Sequence, residues 1–183
     1  MPPQLNQEIL SQLDQAANQL TELVFSHLQS ERGVHLETAI AAPACLAGTL
    51  IVRSTGINFK NMQPGAPLFA DELNQKGMEV FAFMQGVCRP LGLDPSTGWQ
   101  GPLPEGIGFL HSPQELSQAL EKPFLQAIRA FKLDDEWLPY IAGFASLKIV
   151  KMGAQSLNPD TGKAIALTML GTTSKQVPYA EKP

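Results

Sequence analysis

The sequence predicts an all-α fold, a compact single domain of five to six helices with two long Gly/Pro-rich loops. Three observations lead there. Apolar residues recur every three or four positions through the first third of the 183 residues, and a complete helix-start signature stands at Ser112-Pro113-Gln114-Glu115. No Asn-Gly or Asp-Gly turn separates alternating apolar runs, so no β-hairpin is signalled. A chain of this length buries roughly 70% of the surface its unfolded form exposes, enough for a self-sufficient core.

The first helix is expected over residues 4–30, with Leu5, Ile9, Leu13, Ala16, Leu20, Leu23 and His27 on one face and Gly33 as its stop. At 1.5 Å per residue it is about 40 Å long, a length that suits contact along a neighbour. The second helix is expected over 35–54. Its Ala41, Ala44 and Gly48 make a strip that another helix can approach closely, and Pro43 is expected to kink it or mark a late start. Residues 55–70 read as a loop. The third helix follows over 71–89, with Leu73, Gly77, Phe81, Met84, Val87 and Leu91 as its stripe.

Residues 90–108 hold nine Gly or Pro, which excludes a helix there; Trp99 and Phe109 read better as core plugs on a stiff connector than as anchors of a lid. The fourth helix starts at the Ser112 cap, with Pro113 at the first helical position and Glu115 closing a capping box. Pro123 is expected to kink or split it before Phe124, Ile128 and Phe131 continue the apolar face. The fifth helix starts near Asp134 or Asp135, tolerates Pro139 in its first turn and ends near Met152. There the acids Asp134, Asp135 and Glu136 are expected to satisfy free N–H groups and the positive end of the helix dipole. A short sixth helix covers 158–170, and residues 171–183 read as a loose tail. Residues 93–98 (Leu-Asp-Pro-Ser-Thr-Gly) echo residues 157–162 (Leu-Asn-Pro-Asp-Thr-Gly), which reads as repeated Asx-Pro turn chemistry because the flanks do not match.

Charge excludes several partners. Residues 1–31 carry Glu8, Asp14, Glu22 and Glu31 with no Lys or Arg, and the remaining 152 residues carry thirteen charges of each sign. Nucleic acid and anionic membranes demand a basic surface, so neither is expected as a partner. Charged residues make up only 16% of the chain, and 15 Gln replace the missing charge, which leaves a surface with little resistance to self-association. The N-terminus lacks the cationic and apolar regions of a targeting signal, and the longest uncharged apolar stretch, 38–52, is short of a bilayer span. With two cysteines and no disulfide framework, a cytoplasmic location is expected.

No motif names a reaction. Gly162-Lys163 has Leu157 where a P-loop needs Gly and Ala164 where it needs Ser or Thr. His35-Leu36-Glu37 and Pro43-Ala44-Cys45 outline part of a zinc-deaminase signature, but Gly48 stands where its second Cys belongs. Gly106-Ile107-Gly108 lacks the strand and third Gly of a dinucleotide site. Cys45 and Cys88 lie among apolar neighbours and read as structural thiols. No metal and no cofactor is expected.

Two groupings remain as candidates. His35 and Glu37, with Trp99 from the long loop, are the candidate ligand-binding corner, next to His27 and Glu31. Asp14, Glu22 and Phe25, on the side of the first helix away from its apolar stripe, are the candidate partner surface, because an aromatic there has no core to fill. The expected function is a non-enzymatic module acting through copies of itself or through another protein. The alternatives are a small-molecule binder or enzyme at the His35 corner and a regulatory or immunity-type protein whose acidic first helix meets a basic partner.

Overall fold

The computed structural model describes residues 6–100 and 102–179. Among them are six α-helices and no strand: α1 Gln7–Leu28, α2 Leu36–Arg53, α3 Asp71–Cys88, α4 Pro113–Ile128, α5 Leu138–Met152 and α6 Pro159–Thr173. The expected all-α class is therefore the observed one.

α2 is the central helix, touching each of the other five and packing most extensively on α5 and α6. Its composition explains the position. Every residue from Thr38 to Val52 is buried, and at Gly48 α2 lies so close to the end of α6 that an added Cβ would meet Leu170 O and Ser174 N at 2.6 Å and also strike Thr173 Oγ1. α2 is long and apolar enough to cross a membrane by length and composition, yet 83% of it is covered by the surrounding helices.

The sequence-based boundaries hold to within a few residues, with four corrections. In α1 the buried line ends on Val24 and Leu28, not on Leu23 and His27, and His27 is exposed. Both lines advance at helical spacing, and a step of one residue, 100° of rotation, separates them. Pro43 does not delay α2, which begins at Leu36 and runs through it; Pro43 has no N–H to offer the Ala39 carbonyl, and Ser146 Oγ donates to the next carbonyl, Ile40 O, at 2.9 Å. Pro123 does not split α4, which continues to Ile128 and tightens into a 3-10 turn, Arg129–Phe131, closed by Lys132 in a left-handed conformation. Finally, the segment from Gly171, expected to be loose, is packed as far as it is described. Gly171–Thr173 complete α6, Val177 is buried, and residues 175–177 exchange three backbone hydrogen bonds with 65–68. Residues 180–183 lie outside the described residues.

The capping box of α4 is formed as expected, with Glu115 N donating to Ser112 Oγ at 3.2 Å and Ser112 N to a Glu115 carboxylate oxygen at 2.9 Å. The acids before α5 behave differently. A 3-10 turn, Asp135–Trp137, precedes the helix, and no side chain caps that turn.

Candidate functional site

The candidate ligand-binding corner is built at the start of α2. His35 is its N-cap, receiving Thr38 N on Nδ1 at 3.4 Å, and Nδ1 also lies 2.9 Å from the Thr38 hydroxyl. Its Nε2 lies 3.5 Å from a Glu37 carboxylate oxygen. The Thr38 hydroxyl in turn accepts from Leu110 N at 3.0 Å. His35 and Glu37 are thus brought together, in a cap that ties α2 to the loop before α4.

Trp99 is held by different elements. Its ring is edge-on to Phe81 of α3 with centroids 5.2 Å apart, its indole N–H donates to Pro95 O at 2.9 Å, and it is 8% exposed. That is the placement of a core plug. Beneath it is a side chain that the sequence reading assigned only to a failed P-loop: Lys163, with no solvent exposure. Its ammonium is 5.6 Å from the Trp99 ring centre and donates to Asp94 O at 2.6 Å and to Thr97 Oγ1 at 3.2 Å, with Asp160 Oδ1 at 2.9 Å. A buried charge persists only with such partners. The two echoed segments meet here, since Thr97 Oγ1 donates to Asp160 Oδ1 at 2.7 Å. The hydrogen bonds from Lys163 and Thr97 hold the Asp160 carboxyl below its ordinary value, and those from Ser96 do the same for Asp94.

Asp14, Glu22 and Phe25 are spread over α1. Asp14 Oδ1 is 2.6 Å from Lys148 Nζ of α5, and Lys148 also lies 5.0 Å over the Phe144 ring. Glu22 is exposed. Phe25 is half-buried and packs against the core, which corrects the premise that it has none to fill.

A second polar cluster joins α2 to α4. Arg53 forms an ion pair with Glu121, which is 3% exposed; Arg53 Nη2 donates to Glu121 Oε2 at 3.0 Å and to Tyr179 O at 3.1 Å. Next to it the Thr49 hydroxyl donates to Ser117 Oγ at 3.0 Å. Both cysteines are buried free thiols, and burial raises the pKa of each thiol, which keeps them protonated and unreactive.

Two surface features stand out on α3. Asn74, Met78, Ala82 and Gly86 form one ridge at four-residue spacing, all exposed and all uncharged. Phe69, 93% exposed, heads that ridge across a hollow shared with Asn74 and Lys175, and Met78 is 70% exposed. On another flank of α3, facing the end of α2 and the start of α5, lies a hollow of about 530 Å³ lined by Glu72, Glu79, Asp135 and Glu136. Sequence reasoning missed both, because each depends on which side of α3 the core covers. Among the described residues no three His, Cys, Asp or Glu side chains are grouped to hold a metal ion. No family model, curated protein or solved structure gives a significant match to this chain, so its function is argued from these surfaces alone.

Proposed function

We propose that this chain is a non-enzymatic interaction module that pairs with a second copy of itself through the outer ridge of α3. The observation that carries the reading is the uncharged exposed ridge Asn74, Met78, Ala82 and Gly86 headed by Phe69. An isolated exposed apolar residue is ordinary, but two large ones, Phe69 just before α3 and Met78 on a ridge whose own members carry no charge, mark an association surface. In a two-fold, antiparallel pairing Met78 lies near the axis, and Phe69 of each copy reaches the small end of the other ridge, at Ala82 and Gly86. Apart from the neighbouring backbone of α3 itself, no atom of the described residues lies within 4 Å of a Cβ placed on Gly86, so that end is open to an incoming ring.

This reading keeps the first expectation drawn from sequence and moves its surface from α1 to α3, since Asp14 is paired with Lys148 and Phe25 packs inward. The low charge content supports self-association over an electrostatically steered partner. A cytoplasmic location fits the free cysteines and is proposed with it. The test is solution mass against concentration, for the native chain and for F69S/M78S. The native chain is expected to double its mass, and the variant to stay a monomer with unchanged helicity; a native chain that stays monomeric rejects the reading.

A further inference from the structure

We propose that the hollow between α3 and the start of α5 is a binding site for an organic cation, an ammonium or guanidinium group carried on a short aliphatic stem. Three independent features meet there. The first is size, since about 530 Å³ falls within the roughly 300–1,000 Å³ of small-ligand sites. The second is the division of its lining. Ile51, Val80 and Pro139 supply apolar surface for a stem, while Glu72, Glu79, Asp135 and Glu136 set four carboxylates against one ammonium, that of Lys76.

The Lys76 ammonium is committed to the wall. It donates to the Ser54 carbonyl at 3.1 Å and to the Ser54 hydroxyl at 3.0 Å, at the C-cap of α2, and stands 3.9 Å from Glu72. The surplus of negative charge therefore faces the hollow. Asp135 and Glu136 contribute to it from a turn that no side chain caps.

The third feature is rigidity. Tyr140 is edge-on to Phe83 and Trp137, with ring centres 5.4 and 5.5 Å away, so its hydroxyl is held in place. That hydroxyl donates to Glu79, which also receives Gln75 Nε2 at 3.2 Å. Burial, the Glu79 charge and its hydrogen bond push the Tyr140 hydroxyl up to about 12, so it stays a donor and adds no charge of its own. A carboxylate oriented by two donors needs little rearrangement to meet a cation, which lowers the ordering cost of binding.

The ligand class follows from the spread of the acids. The absence of a metal-holding group of acids among the described residues argues for a cation with a body rather than a compact metal ion. A free aliphatic diamine and an Arg or Lys side chain of a protein share that chemistry. The site lies on a different flank of α3 from the self-association ridge, so the two proposals fail separately.

Titration calorimetry at low salt tests it with three probes: 1,4-diaminobutane, a short peptide with one central Arg, and butane-1,4-diol. At least one of the two cations should bind saturably and weaken as salt is raised, and the diol should not bind. Binding of the diamine assigns the site to free amines, and binding of the peptide alone assigns it to a protein side chain. E79Q and E136Q should each weaken the bound cation about tenfold. Glu136 is exposed, so E136Q remains informative if loss of the Tyr140 contact unfolds E79Q. No binding of either cation, equal binding of the diol, or native affinity in E136Q overturns the proposal.

Discussion

Lys163 shows how a single side chain organises distant sequence. Its buried ammonium links the turn at Asp94 to the start of α6, and its contacts go to a backbone carbonyl, a hydroxyl and a carboxylate. The consequence is a dependence on acid. Asp160 has a folded value below its ordinary 3.8, so its contribution to stability is complete above that value and is lost as pH falls through the lower folded value. Acid titration of stability followed by circular dichroism should therefore show a shallower loss below about pH 4 for D160N than for the native chain. A neighbouring glycine is required by geometry. Gly98 has φ +77°, and a Cβ there would lie 2.6 Å from Asp160 Cα, so G98A combines a left-handed backbone with a backbone clash. It should cost about 3 kcal/mol in urea unfolding.

At the scale of the elements, locally encoded features were the legible ones. The Ser112 capping box needs only four consecutive residues, and it is formed as the sequence indicates. The α1 stripe was legible at its middle and displaced by one position at its end, because periodicity fixes a face only to within one residue's rotation. Of the outcomes allowed for Pro43 and Pro123, the late start and the split do not occur, for a related reason. The covering helices and a donor from α5 support α2 around Pro43, and no local rule reports such neighbours. The candidate sites were less legible still. Residues 53 and 121 stand 68 positions apart, and neither carries a motif, yet together they join α2 to α4.

That pair makes its own prediction. R53M leaves the Glu121 carboxylate buried without its ion-pair partner and should destabilise by about 3 kcal/mol. R53M/E121M, with no charge left to bury, should recover most of the loss. Equal losses in the single and double variants, measured by thermal unfolding, would show that packing and not charge decides this junction.

At the scale of the whole molecule, the balance between charge and apolar surface points outward to α3. The four-charge excess of acid in residues 1–31 drew attention to α1, but its Asp14 is bridged to α5 and its Phe25 packs on the core. Four carboxylates line the hollow between α3 and the approach to α5, and among the described residues Phe69 is the most exposed aromatic. Substituting Phe69 and Met78 removes exposed surface only and should change stability by less than about 0.5 kcal/mol, so a change of mass in the variant reports association rather than folding.

Sedimentation equilibrium over a hundredfold range of concentration is the most direct test of that claim. The native chain is expected to pass from 19.8 kDa to twice that mass, while F69S/M78S remains at 19.8 kDa with the same helix content. A native chain that stays at 19.8 kDa throughout, or a variant that dimerises as the native chain does, contradicts an interaction module built on the outer ridge of α3.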